Sequence, residues 1–447
     1  MRVVKAGEIG AAAVAALLKK APFDQVELSP AIQAKNRELY GEDLTASQIV
    51  DRIVTSVRQE GDAAVIRYTE MFDGAVLSPE DFLVSEAEYQ AAAEAVDPAV
   101  VASLQKAIAN VRSYHMEQKP KSWMTYREHG SILGQSVLPL DRVGIYVPGG
   151  TAAYPSSVIM NAVPAMVAGV GEIVMMVPAS KEGRINPYVL VAAKEIGVQK
   201  VYKIGGAQAI AAMAFGTETI PRVDKITGPG NLFVTLAKKA VYGHCDIDML
   251  AGPSEILIVA DQGADAAYVA ADMLSQAEHD VLASSIVITD SMKLANKVCE
   301  QVEMQLAGLE RQQIARASIE NNGLVIVAAD LSEAMEFANI SAPEHMEILT
   351  EQPFSLLPYV RHAGAVFLGP YSPEPLGDYF AGPNHVLPTG GTARYYSVLN
   401  VETFMKRTSI ISYTKPALAA AADDIIRLAT AEGLTAHANA IRLRGRV

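Results

Sequence analysis

Val143-Gly-Ile-Tyr-Val147, Ile173-Val-Met-Met-Val177 and Val201-Tyr-Lys-Ile204 are short runs rich in apolar and β-branched residues. Ala-rich stretches, Ala162–Val170 and Gln208–Phe215, fall between or after them. Runs of four or five residues without polar alternation suit strands covered on both faces. Strands alternating with helices predict βαβ units and a parallel sheet, hence an α/β fold. Toward the C-terminus the pattern continues through Ile256–Ala260, Ser285–Thr289, Leu324–Ala328 and Ala365–Leu368, with Ala264–His279 as a helix. Residues 1–115 read as helices; within Thr45–Tyr68, Ile49, Ile53, Val57 and Ala64 recur at helical spacing while Glu60 and Asp62 keep the other face wet. The Pro/Gly-dense Gly369–Gly391 reads as a long irregular loop, and Pro416–Arg444 as a charged, Ala-rich helical tail.

At 447 residues, half of them hydrophobic and 19% charged, the chain can bury a large core and exceeds one ordinary domain. The net charge of -13 and the lack of any Lys/Arg-rich block exclude nucleic acid as a natural partner. The two cysteines, Cys245 and Cys299, are distant in sequence and make no disulfide framework, which fits a reducing cytoplasm. Gly10–Leu18 is too short to span a membrane. Lys19-Lys20 closes it with no small-residue cleavage pattern, so it reads as an amphipathic helix rather than a signal peptide, and no membrane partner is expected.

Several segments carry chemistry. Tyr146-Val-Pro-Gly-Gly-Thr151 follows a strand but matches neither a G-x-G-x-x-G fingerprint nor a P-loop. Gly205-Gly-Ala-Gln208, Gly228-Pro-Gly-Asn231 and Ala251-Gly-Pro-Ser-Glu255 are three further Gly-rich turns at strand ends, each closing on a polar side chain. Ligands gather at such ends of a parallel sheet, so together they favour a nucleotide crevice over coincidental turns. In Ser275-Gln-Ala-Glu-His279, Gln276 and His279 stand three apart and would share a helix face. Ser341-Ala-Pro-Glu344-His345-Met-Glu347 places a carboxylate beside an imidazole, a workable acid/base pair. On pattern alone the reading as a helix start, where Pro and Glu are common, prevails. Leu376-Gly-Asp378…Asn-His385 and Glu432-Gly-Leu-Thr-Ala-His437 add further acidic and imidazole groups. Gln276, His279, Asp378 and His437 form a nitrogen/oxygen set compatible with zinc.

Taken in order, these segments resemble histidinol dehydrogenases, from about the helix containing Ile49 to the C-terminus. The resemblance is densest in Gly-Pro-Gly-Asn231, Ala-Gly-Pro-Ser254-Glu, Ser-Gln276-Ala-Glu-His279, Ala-Pro-Glu344-His345, Gly-Pro-Asn-His385-Val-Leu-Pro-Thr-Gly-Gly and Ala-Glu432-Gly-Leu-Thr-Ala-His437. Leu250 departs from the proline common before the Ala-Gly-Pro-Ser-Glu turn, at a position that carries no chemistry. The resemblance implies two incomplete Rossmann-like domains with parallel sheets and helical terminal arms. Residues 143–255 would be the second, NAD-binding domain, inserted in a first domain of 41–142 and 256–400. Residues 1–40 would form an N-terminal arm and 401–447 a dimerisation tail.

It further implies oxidation of L-histidinol to L-histidine with two NAD, through a bound aldehyde. Zinc would be held by Gln276, His279, Asp378 and His437, the last from the partner of a homodimer. Tyr146, Gln208 and Asn231 would line the NAD site. Ser254, His345, His385 and Glu432 would contact substrate, which the zinc set also orients. His345 would take the alcohol proton, and Glu344 would activate the water that attacks the aldehyde. Competing expectations are a related zinc/NAD dehydrogenase acting on another amino alcohol or diol, a zinc hydrolase, and a metal-stabilised binding protein. The Gly-rich turns count against the hydrolase and the Glu344-His345 pair against the binding protein. His115, His129, His244 and His362 have no partners at ligand spacing and read as structural.

Overall fold

A computed structural model describes residues 1–20, 33–34, 37–38, 40–149 and 154–445, so Gly150 and Thr151 of the first Gly-rich turn lie outside the described residues. Two parallel sheets organise the chain. The smaller has five strands, β4 (Arg142–Tyr146), β5 (Glu172–Met176), β6 (Lys200–Tyr202), β7 (Lys225–Thr227) and β8 (Asp246–Ile247), in the order β6-β5-β4-β7-β8. The larger has six, β1 (Arg2–Lys5), β9 (Glu255–Ala260), β10 (Ser284–Thr289), β11 (Leu324–Val327), β12 (His345–Leu349) and β13 (Ala365–Leu368), in the order β1-β11-β10-β9-β12-β13. In each, the strand that starts the βαβ run, β4 or β9, lies in the interior and the order reverses around it. That reversal opens the crevice in which doubly wound sheets bind ligands.

The strands form because their side chains are buried on both faces. All six residues of β9 and all five of β12 are buried, which is why these runs show no polar alternation. Only residues 248–254 separate β8 from β9. Seven residues reach at most about 25 Å, so the C-terminal ends of the smaller sheet must approach the N-terminal ends of the larger one. Thr235 Oγ donates to the Ala251 carbonyl (3.0 Å) and the Gly252 N–H donates to Thr389 Oγ, tying this crossover to both halves.

Residues 1–115 are not wholly helical: Arg2–Lys5 form a parallel edge strand beside β11. Four residues are too few to show a period. Val4, Ala6, Val14 and Leu18 join the core of the six-stranded sheet, so this part of the 1–40 segment is built into that sheet rather than standing apart as an arm. The expected helix at Gly10–Leu18 is present as Ala11–Leu18.

The helices Ala46–Glu60, Asp62–Asp73, Glu86–Ala95 and Pro98–Met116 pack elsewhere than expected. Ile49, Ile53, Val57 and Tyr68 share a core with Tyr202, Ile210 and Val234; Leu104 and Val111 share another with Val158 and Val189. These cores belong to the five-stranded sheet, whereas the sequence-based grouping joins 41–142 to 256–400. An apolar helix face records that something covers it, not which sheet does.

A small antiparallel sheet also escapes the sequence pattern. Its strands are β2 (Trp123–Tyr126), β3 (Ile132–Pro139) and β14 (Met405–Ser412), in the order β14-β3-β2. β3 and β14 pair from Ile132↔Ser412 to Pro139↔Met405, so the 401–447 tail opens with a strand before its helices Lys415–Ala431 and Thr435–Arg444. Trp123, Met124, Tyr126, Ile411 and Tyr413 are exposed. Without a core on one face, the strands lack the in/out alternation that would mark them. Among the described residues no helix is long and apolar enough to cross a membrane.

Candidate active site

The site lies where β9 and β12 begin. Helix Leu331–Ser341 ends at Ala342 in the left-handed conformation (φ 48°), Pro343 follows, and the chain enters β12 at His345. The Pro-Glu-His segment is therefore a strand entry and not the helix start that its pattern alone favoured. The neighbouring backbone of Glu255 holds both members of the pair. Its N–H donates to Glu344 Oε2 (2.8 Å), and its carbonyl lies 3.0 Å from His345 Nδ1. A carbonyl only accepts, so Nδ1 carries a proton and Nε2 is the atom presented to a ligand. His345 Nε2 is buried without a hydrogen-bond partner and stands 3.7 Å from Asp378 Oδ1.

A second group of side chains faces this imidazole. Helix Ala266–Ala277 carries Gln276, and the His279 N–H donates back to the Gln276 carbonyl (3.2 Å), extending the turn by enough to bring both to one side. Gly369–Gly391 is not wholly irregular: Glu374–Tyr379 is a short helix that sets Glu374 and Asp378 four residues apart on one face. One ligand atom from each of His279, Glu374 and Asp378 lies within 4.8 Å of the others. Gln276 is 1% exposed and both of its amide atoms lack partners. A buried amide without partners costs about 1–3 kcal/mol, and a metal ion is the simplest way to recover it here. Two nitrogen/oxygen side chains on one helix end and two carboxylates on another suit a borderline cation such as zinc.

The electrostatics agree. Burial pushes the imidazole pKa values of His279 and His385 down, favouring the neutral form a metal or substrate needs. Burial raises the Asp378 pKa, but the facing His345 imidazole and the nearby His385 outweigh it, holding Asp378 ionised at about 2. Burial lifts Glu344 to about 8, opposed by His345. Burial would push His345 down, yet the facing Glu344 and Asp378 carboxylates outweigh it and raise it to about 10. A divalent cation on Asp378 would cancel much of that pull and return the imidazole toward its neutral, proton-accepting form.

Glu374 is absent from the sequence-derived set, because a segment read as loop offers no helical spacing. The signal was Pro373-Glu374-Pro375 opening a turn four residues before Asp378. His385 lies beside Asp378, its Nδ1 3.1 Å from the Asp378 carbonyl. Ser254 directly precedes Glu255, and its carbonyl accepts from the Ser284 N–H (3.1 Å). Glu432 and His437 are exposed on the tail, and His437 does not join the His279–Glu374–Asp378 group within the chain.

The Gly-rich turns gather at the C-terminal ends of the smaller sheet. Tyr146 is buried at the end of β4, its hydroxyl accepting from the Gly206 N–H (3.1 Å). Gln208 is fully buried with both amide atoms unpartnered, like Gln276. Asn231 is exposed and caps helix Leu232–Val241, its Oδ1 accepting from the Phe233 and Val234 N–H groups. Gly228 has a φ of 111°, and a Cβ there would overlap the Tyr146 carbonyl oxygen, so this turn requires glycine.

The remaining histidines and the cysteines lie apart. His115 is buried and bonded through Nδ1 to the Val111 carbonyl (2.7 Å), and His244 packs on Phe215. Burial pushes the Cys245 thiol up to about 12 and also raises Cys299, so neither offers a thiolate. Replacing both by alanine should leave turnover within a few-fold of wild type; a loss beyond about a hundredfold in steady-state assays would revive a thiol route.

Two Rossmann-ordered sheets, a crevice of glycine turns and a buried acid/base pair beside a metal-competent group define an α/β dehydrogenase. The profile of the family described as Histidinol dehydrogenase matches residues 36–445, and the chain belongs to that family. Histidinol dehydrogenase of Heliobacterium mobile is 56% identical over 417 residues, covering 93% of this chain and 98% of the relative. That of Halalkalibacterium halodurans is 55% identical over 395 residues, covering 88% and 93%. The crystal structure of histidinol dehydrogenase from Elizabethkingia anophelis superimposes with a TM-score of 0.91 at 36% identity, over 99% of this chain and 98% of that one.

Proposed function

We propose that the chain oxidises L-histidinol to L-histidine in two NAD-dependent steps, in the cytoplasm, as a zinc-dependent homodimer. The observation that carries this reading is the approach of His279, Glu374 and Asp378 to within 4.8 Å of one another beside the Glu344–His345 pair, with the buried, unpartnered Gln276 three residues before His279. Gln276, His279 and Asp378 would hold zinc within the chain. His437 would complete the set from the partner subunit, which accords with its exposed place on a tail with few buried residues. When bound, zinc supplies an anchor for the substrate's amino and imidazole nitrogens.

In the first step His345 Nε2 accepts the alcohol proton as hydride passes to a nicotinamide, giving the aldehyde. Glu344 then removes a proton from water as its oxygen bonds to the aldehyde carbon. The hydrate gives up hydride to a second NAD and a proton to the protein, leaving the carboxylate. Tyr146, Gln208 and Asn231 would line the cofactor crevice, with Ser254, His385 and Glu432 meeting the substrate. Burial of the pair excludes bulk water, so only the positioned water reaches the aldehyde.

The experiment is NADH formation from L-histidinol with and without a chelator. Two NADH per substrate, abolished by chelation and restored by zinc, is the expected result. A yield of one, or none, refutes the four-electron assignment.

A further inference from the structure

Glu347 is an acid where the fold has no use for one. It sits two residues beyond His345 on β12, in the interior of the six-stranded sheet, and is 0% exposed. Among the described residues neither it nor Asp272 makes an ion pair, and Glu347 Oε2 is buried without a hydrogen-bond partner. A buried carboxyl with one oxygen unpartnered is costly to desolvate, and an apolar residue of similar size would pack there without that cost.

Its surroundings suggest why it is there. Glu347 Oε1 accepts from the Glu374 N–H (2.8 Å). That amide opens the short helix Glu374–Tyr379, whose N-cap is Pro373 and supplies no side-chain acceptor. The first amides of a helix have no partner inside it, so Glu347 does from another element what a cap would do locally. On its other side Glu347 meets the side chain of Asp272, one turn before Gln276 on helix Ala266–Ala277. Ser275 of the same helix reaches across as well, its Oγ 2.9 Å from the Asp272 carbonyl and 3.1 Å from Glu374 Oε2. One buried acid thus touches both elements that carry the metal-competent side chains.

We propose that Glu347, backed by Asp272, is a positioning residue for the metal group. It fixes the helix bearing Glu374 and Asp378 against the helix end bearing Gln276 and His279. This rests on the zinc reading above. Groups placed in this way behind metal ligands typically change affinity 10–100-fold when removed. The role needs an acceptor at Oε1, not a charge, so glutamine should serve and leucine should not.

The test compares wild type, Glu347→Gln and Glu347→Leu as full-length protein. Zinc affinity is read by competition with a chromophoric chelator, and thermal midpoints are read on the metal-free forms. The metal-free leucine variant should melt at or above wild type yet bind zinc at least tenfold more weakly, with glutamine within about threefold of wild type. Unchanged zinc affinity in the leucine variant overturns the inference. So does a metal-free leucine variant that melts far below wild type or fails to fold, which would make Glu347 a support of the fold. Equal weakening of both variants overturns it too, because glutamine keeps the acceptor. Wild type that takes up no zinc sinks the metal reading itself, and this inference with it.

Discussion

Asp378→Ala should lower turnover of L-histidinol by at least about a thousandfold, some 4 kcal/mol of transition-state stabilisation, and weaken zinc binding by at least about a hundredfold. The Asp378 carboxylate stands between both imidazoles of the reacting side and the metal-competent group. Its oxygens lie 3.7 Å from His345 Nε2 and 3.8 Å from His385 Nδ1, and it shares the close group with His279 and Glu374. It is also the carboxylate held ionised at about 2, whereas Glu374 is pushed up to about 8, first by burial and then by the Asp378 charge. Removing Asp378 therefore takes away the permanent negative charge of the group and leaves Glu374, whose burial still disfavours its charged form. Dialysed protein assayed for zinc content, followed by steady-state rates with added zinc, measures both effects. Wild-type zinc content in the variant would show that Asp378 is no ligand, and full activity would remove it from the site.

Glu344→Gln should separate the two half-reactions. Oxidation of L-histidinol to the aldehyde should fall less than tenfold, while oxidation of the aldehyde should fall about a hundredfold to a thousandfold, within the usual range for losing a general base. Glutamine keeps an acceptor for the Glu255 N–H that now donates to Glu344 Oε2, so the pair's geometry should persist. The pH profile gives an independent sign. A base acts deprotonated, so its step rises with pH until the group has ionised. With Glu344 at about 8, the aldehyde step of wild type should climb through neutrality with a midpoint at or below about pH 8, since a bound cation would shift the limb downward. The glutamine variant should lose that limb. Pre-steady-state NADH bursts starting from alcohol and from aldehyde distinguish the steps, and equal losses in both would refute this division between Glu344 and His345.

Much of the parallel architecture was legible in the chain. Val143–Val147 and Ile256–Ala260 are buried on both faces, as is Leu324–Ala328 apart from the half-buried Val327, and such burial writes an unbroken apolar run into any sequence. The turns at Gly205-Gly206 and Gly228-Pro-Gly were legible for a related reason, since backbone crowding at Gly228 admits no side chain. Gln276, His279 and Asp378 could be nominated from residue type and spacing, and the family's ordered motifs joined them to Glu344 and His345. Residue type could not reveal Glu374, because its alignment with Asp378 exists only once the Pro-flanked segment coils into a helix.

Composition and periodicity thus specify local states: strand, helix or glycine turn, and which face must be covered. They do so because burial and backbone sterics act on each residue through its immediate neighbours. Which sheet covers the helices of residues 46–116, why Arg2–Lys5 become a sixth strand, and how Glu347 comes to hold the Glu374 amide are long-range matters. Those contacts join residues tens or hundreds of positions apart, and their energies depend on distances that exist only after the chain has folded. The metal group is of that kind. Its members come from helix ends about a hundred residues apart, and the crossover at residues 248–254 sets the glycine crevice of one sheet against the catalytic edge of the other.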